Sequence, residues 1–253
     1  MNILITNDDG ISAKGIRALA KEVIKKHNII IVAPREQQSA SSHSISINKP
    51  LKIRKEKLED LDCMAYSLVG TPADCTQAGL SLLGENIDLV ISGINRGANS
   101  GTDVLYSGTV SAATEGALYG VPSIAISMQV DFNKDDEDYG KAAKWISVIL
   151  EMVQDKCLRD DVVLNINVPN VREEEIKGVK VCRMGKATYK SRYILIEDKE
   201  DKVYLKNGIR NESKDKDTDL YFLSQGYVTV TPLHFDFTNF NIIKEITNII
   251  EGK

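Results

Sequence analysis

Two short apolar runs, NILIT at residues 2–6 and IIIVA at residues 29–33, flank a stretch in which Ile16, Leu19, Ala20, Val23 and Ile24 recur at helical spacing. That order predicts a βαβ unit with parallel strands, the opening of a doubly wound sheet. Ser12, just ahead of the periodic set, is the expected helix N-cap. Further apolar runs at 87–91 (IDLVI), 123–127 (SIAIS) and 162–168 (VVLNINV) are separated by helix-like segments near 109–119 and 138–153. The predicted class is therefore α/β: a Rossmann-like, doubly wound, mostly parallel sheet. SISINKPLKI, residues 44–53, alternates around Asn48-Lys49-Pro50 and reads as a hairpin at the sheet edge.

Past Pro169 the pattern changes. Residues 184–225 are rich in Lys, Asp, Glu and Tyr, with weak alternation in TYKSRYILIE and KVYLKNG, and read as an extended hairpin arm. Apolar alternation resumes at YVTVTPL, and a final amphipathic helix near 239–251 carries Ile242, Ile243, Ile246, Ile249 and Ile250 on one face. The expected organisation is one domain, with a core of about residues 1–183 and 226–237, an arm of about 184–225 and a C-terminal helix of about 238–253. A charged arm of this kind is more stable when paired with another chain.

Composition narrows the partners. The net charge is −4, with 32 basic residues mixed among 36 acidic ones, which argues against a basic face for duplex nucleic acid. Cys63, Cys75, Cys157 and Cys182 show neither zinc-site pairing nor a disulfide framework, so reduced, mostly buried thiols are expected. There is no basic segment followed by an apolar stretch at the N-terminus, and no aliphatic run is long enough to span a bilayer. A cytoplasmic protein without membrane partners is the expectation.

In an open parallel sheet, ligands bind beyond the carboxyl ends of the strands. Asp8 and Asp9 follow the first strand, and Ser39 lies in PREQQSASS after the second. Asn95 and Asn99 stand in SGINRGANSG, residues 92–101, after IDLVI. Ser107-Gly108-Thr109 directly precedes an Ala-rich helical pattern, where backbone N–H groups and hydroxyls can hold an anion. Each has a plain local reading: an Asx-turn with solvated charges for the aspartates, turn glycines in 93–101, an ordinary cap at Ser107. Their convergence on one sheet edge is the stronger signal. Two carboxylates, an amide oxygen and a hydroxyl form a hard oxygen set suited to Mg²⁺ or Mn²⁺. His27, His43 and His234 are too scattered for a histidine site.

NDDG at 7–10, Ala33-Pro34 with Ser39, GTPADC at 70–75, SGINRGAN at 92–99, YSGTVSAATEG at 106–116 and TPLHFD at 231–236 occur in an order and spacing that resembles the SurE survival-protein family of nucleotidases and acid phosphatases. The resemblance runs over essentially the whole chain. It implies one divalent cation per subunit, Mg²⁺ or Mn²⁺, held by Asp8, Asp9, Ser39 and Asn95. Asp8 and Asp9 are then the catalytic carboxylates, and Asn99, Ser107, Gly108 and Thr109 lie near the substrate phosphate. Hydrolysis of nucleoside 5′- and 3′-monophosphates is the implied reaction, and a homodimer or homotetramer the implied assembly. Ala40 and Ser111 stand where glycine is common in the family, which predicts a tighter backbone approach there.

Other classes fit less well. A phosphorelay receiver would need a phosphoacceptor Asp after the third strand. A dinucleotide-binding oxidoreductase would need G-x-G-x-x-G where NDDGISAKG stands, and no G-x-x-x-x-G-K-[ST] occurs for a nucleoside triphosphatase. A non-catalytic, metal-dependent nucleotide-binding module is the remaining alternative.

Overall fold

Strand β1 (Asn2–Thr6) runs through the middle of the molecule, parallel to β2 (Asn28–Pro34) on one side and β5 (Leu89–Arg96) on the other. In the computed structural model, which describes all residues except 135, 136, 155, 157, 200 and 253, the sheet has nine strands. Beyond β2 lie β4 (Met64–Val69) and then β3 (Lys52–Glu56) at the edge; beyond β5 lie β6 (Ser123–Met128), β7 (Val163–Val168), β11 (Val228–Leu233) and β8 (Val179–Val181). From β4 to β7 all neighbours are parallel; β3 and β11 join antiparallel to β4 and β7. Successive strand residues face opposite sides. Ile3 and Ile5 therefore pack with Ile16, Leu19 and Val23 of α1 (Lys14–Val23) and Ile146, Ile149 and Leu150 of α4 (Tyr139–Val153). Leu4 packs on the other face with Cys75 of α2 (Pro72–Ala78), while Val110, Ala113 and Ala117 of α3 (Gly108–Leu118) cover Ala125 and Val163. The expected doubly wound α/β sheet is what the chain forms.

Several local expectations are corrected. The cap position of α1 is Ala13, without a side-chain cap, and Ser12 lies exposed outside the helix. The preceding turn is instead closed by Asn7, whose Oδ1 accepts from Gly10 N at 3.1 Å and whose Nδ2 donates to Gly10 O at 2.9 Å. No hairpin forms around Asn48-Lys49-Pro50. Ser46 donates through its backbone N and its Oγ, both at 2.8 Å, to the carboxylate of Asp74, which draws this segment away from the sheet. The edge strand is β3, and its partner is β4, a strand the sequence patterning had not revealed.

The hairpin arm consists of β9 (Ala187–Asp198) and β10 (Lys202–Glu212) and is shorter than the 184–225 reading. Residues Asp219–Ser224 form a helix, α5, capped by Thr218, whose Asp219, Leu220 and Leu223 are buried. α6 (Ile243–Glu251) has no buried residue, and its isoleucine face is exposed. Cys63, Cys75 and Cys182 are free thiols, the latter two buried; Cys157 lies outside the described residues. Among the described residues no helix is long and apolar enough to cross a membrane.

Candidate active site

The chain reverses direction around the sheet at β1, between β2 and β5, and this is where loops at the carboxyl edge leave a crevice. Backbone bonds lace the loops together. Ile11 N donates to Pro34 O at 2.8 Å, Gln38 N to Asp8 O at 2.7 Å, and Ser42 N to Tyr106 O at 3.2 Å. Asp8, Asp9, Ser39, Asn95, Asn99 and Ser107 all line one cavity of about 1040 Å³.

Asp8 is 5% exposed. The Thr109 hydroxyl donates to its Oδ1 at 2.5 Å, and the Thr109 backbone N–H also bonds the carboxylate. Burial nevertheless dominates: it pushes the Asp8 carboxyl up to about 6, against the Thr109 bond, and the neighbouring Asp9 charge raises it further. Asp9 is raised as well, first by burial, although its Oδ2 accepts from Arg96 N at 3.0 Å and its Oδ1 from Gln37 Nε2 at 3.1 Å. Two carboxylates, each resisting ionisation in this setting, are suited to a cation between them.

Asn95 reaches the cavity through a bulge. Ser92 pairs with Ala125 and Asn95 with Ser127, so β5 carries one extra residue between these pairs. Gly93 makes this possible, because a Cβ there would lie 2.2 Å from Ile126 O and its φ is +141°. The Asn95 amide nitrogen donates to Gly97 O at 2.8 Å, which turns its carbonyl oxygen away as an acceptor. Asn99 is held more rigidly: Asn167 accepts from its N at 2.8 Å, Asn165 and Asn167 donate to its carbonyl, and its Nδ2 donates to Ser127 Oγ at 2.8 Å. The buried asparagines of β7 thus set the shape of the SGINRGAN loop.

Ser107 caps α3, its Oγ accepting from Val110 N at 3.1 Å. Gly108 lies hard against Asp8: a Cβ there would be 2.8 Å from Asp8 Cβ and 2.8 Å from Ser41 Oγ. The 107–109 turn therefore supports Asp8 directly. Of the two departures from the family's glycines, Ala40 adopts φ +54°, a region that favours glycine, and Ser111 turns its hydroxyl back onto Ser107 O at 2.7 Å. Residues missed by sequence reasoning are the holders of this arrangement, Gln37, the Arg96 backbone and the pair His43–Glu115. His43 Nε2 lies 2.6 Å from Glu115 Oε2, tying the loop that carries Ser39 to α3. Spacing in the chain carries no signal for such long-range bonds.

The family described as "Survival protein SurE" matches residues 3–191. The chain belongs to the SurE family. A protein of Clostridium botulinum (strain Eklund 17B / Type B) called 5′-nucleotidase SurE is 69% identical over 251 residues, covering 99% of this chain and all of that one. One of the same description from Clostridium beijerinckii is 62% identical over 252 residues, with the same coverage. The crystal structure of the SurE protein from Aquifex aeolicus superposes with a TM-score of 0.84 at 38% identity, covering 99% of this chain and 100% of that one.

Proposed function

We propose that this protein is a divalent-metal-dependent phosphomonoesterase that hydrolyses nucleoside 5′- and 3′-monophosphates and acts as an acid phosphatase on simple esters. The observation that carries the reading is a buried carboxylate, Asp8, set against the first turn of α3 and beside the half-buried Asp9, both sharing a cavity with neutral oxygen donors. The names of the close relatives support the nucleotidase part.

The donor set fits a hard cation. Asp8, Asp9, Ser39 and Asn95 would hold one Mg²⁺ or Mn²⁺, two charged and two neutral oxygen ligands. When bound, the ion neutralises charge on a phosphoryl oxygen and activates water. The remaining work falls to the chain. The rigid Asn99 loop and the Ser107-Gly108 turn orient the phosphate, with the positive end of the α3 dipole toward its charge. Thr109 holds Asp8 from behind. Water attacks phosphorus directly, the ester P–O bond breaks, and water's proton passes by way of a carboxylate of the Asp8–Asp9 pair to the leaving oxygen.

We also infer a homodimer or homotetramer in the cytoplasm, with the arm between subunits. Ile194, Leu195, Ile196 and Leu205 of the hairpin are exposed, as are the isoleucines of α6, apolar surface that a partner chain would cover. Phosphate release from adenosine 5′-monophosphate, adenosine 3′-monophosphate and p-nitrophenyl phosphate, with and without Mn²⁺, tests the catalytic reading. Metal-stimulated release from all three is expected; nucleotide binding without release would show a binding module instead.

A further inference from the structure

The arm forms one wall of the catalytic cavity. Side chains alternate along each strand, and the register pairs Tyr189 with Arg210 and Ser191 with Gly208. Tyr189 and Ser191 therefore share a face with Lys206, Gly208 and Arg210. Tyr189, Ser191, Lys206 and Gly208 of that face line the same cavity as Asp8 and Asp9, together with Thr188 and Asn207 of the other face. Its base is fastened to the 3-10 turn Gly101–Tyr106, which runs straight into Ser107. Tyr189 donates to Asp103 Oδ1 at 2.9 Å, Arg210 pairs with Asp103 Oδ2 at 2.9 Å, and Ala187 N donates to Thr102 Oγ1 at 3.2 Å.

Two cationic side chains line the cavity, Arg96 and Lys206. Arg96 is committed: its Nε donates to Glu137 Oε1 at 2.6 Å, its Nη2 to Lys134 O at 3.0 Å, and its guanidinium lies 5.2 Å from the centre of the Phe132 ring. The Lys206 side chain has no hydrogen bond or ion pair among the described residues. Beside it Gly208 leaves room, since a Cβ there would meet nothing closer than 3.7 Å. The cavity, about 1040 Å³, stands at the upper end of the usual ligand-pocket range of roughly 300–1,000 Å³. It accommodates more than a phosphate on the carboxylate pair.

Resting on the hydrolase reading above, we propose that Lys206 binds a second phosphate carried on the ribose, so that nucleoside bisphosphates are substrates and are favoured over monophosphates. An ammonium on a long stem is a point charge suited to a phosphate whose position varies with the sugar. The reaction is one hydrolysis: water's oxygen joins phosphorus at the carboxylate pair, the ester bond breaks, the ribose oxygen leaves with a proton, and orthophosphate and a nucleoside monophosphate result. The second phosphate stays intact on Lys206 during the step.

The test is the ratio of kcat/KM for adenosine 3′,5′-bisphosphate over adenosine 5′-monophosphate, with Mn²⁺, in the wild type, K206Q, K206R and K190Q. Lys190 is on the opposite hairpin face, opposite Ile209, and K190Q makes the same charge change there. The wild-type ratio is expected to exceed one and to fall about tenfold in K206Q, mainly through KM, the low end for a charge-assisted hydrogen bond. K206R restores most of it, and K190Q keeps it. An unchanged ratio in K206Q, or an equal fall in K190Q, overturns the proposal. Should the wild type release phosphate from neither nucleotide, the hydrolase reading fails on its own. Calorimetry then decides for Lys206: bisphosphate binding about tenfold weaker in K206Q supports it, and equal binding refutes it.

Discussion

Replacing Gly108 with Ala adds one methyl group at the contact between α3 and the carboxylate pair. Its carbon would lie 2.8 Å from Asp8 Cβ, 2.8 Å from Ser41 Oγ and 3.0 Å from Asp8 Oδ2. Carbon atoms rest about 3.5–4.0 Å apart, so the Asp8 contact is short by about 0.7–1.2 Å. Ser41 can rotate its hydroxyl away. Asp8 cannot swing freely, because Thr109 holds its Oδ1 and Gln38 N holds its carbonyl. The carboxylate must shift, and the overpacking costs roughly 1–3 kcal/mol. For a chain of this size that lowers Tm by about 2–12 °C. A displacement near 1 Å at a reacting centre costs on the order of 100-fold in rate. Because the shifted group is itself a proposed ligand, Mn²⁺ affinity should fall together with kcat/KM, by at least about tenfold. This reverses what a phosphate-only turn predicts, namely lost kcat/KM with metal binding retained. Thermal melts, Mn²⁺ calorimetry and phosphate release on Gly108→Ala read the three quantities. Wild-type Mn²⁺ affinity in a folded variant would refute the reasoning.

The metal ligands should rank by charge: Asp8→Asn and Asp9→Asn weaken Mn²⁺ binding most, Asn95→Ala less and Ser39→Ala least, as calorimetry on the four variants checks. Glu115 is drawn upward by burial, but its bonds from His43 and from Gln77 at 2.7 Å outweigh this and hold it below its ordinary value. A depressed folded pKa contributes stability above the unfolded value, roughly 4.3, that is lost as pH falls through the folded one. The wild type should therefore lead Glu115→Gln in urea midpoint at neutral pH, and the gap should close in acid; a gap independent of pH would contradict the assignment of that stability to the Glu115 carboxylate. Light scattering at micromolar concentration should give a multiple of the 28.0 kDa chain mass, whereas a monomer would count against pairing through the arm and α6.

The strands at the centre of the sheet were legible because they are buried on both faces and read as continuous apolar runs, such as Ile30–Ala33 and Ile124–Ile126. α1 and α4 were legible because one face of each is apolar and the other solvated. β4 escaped because a buried serine, Ser67, interrupts its apolar pattern and donates to Glu56 on β3. The 44–53 alternation misled because Ser46 answers to Asp74, a partner 28 positions away. α5 is only six residues long, too short for helical periodicity to show. At the site, the loops could be assigned to one edge from strand order alone. The commitment of Thr109 to Asp8 and the closeness of Gly108 could not, since both depend on how α3 seats against β1. The arm's place beside the cavity was equally hidden, because it is set by the fastening at Asp103 and not by the weak alternation of TYKSRYILIE.

The central claim is that the Asp8–Asp9 pair hydrolyses phosphomonoesters through a bound divalent cation. Phosphate release from adenosine 5′-monophosphate, followed as Mn²⁺ is added to metal-stripped wild type and to Asp8→Asn, measures it directly. Release should be absent in the stripped wild type and rise to saturation with Mn²⁺, while folded Asp8→Asn stays near background at Mn²⁺ levels that saturate the wild type. Hydrolysis by the stripped wild type at its full rate, or by Asp8→Asn with the wild-type Mn²⁺ response, would contradict the account.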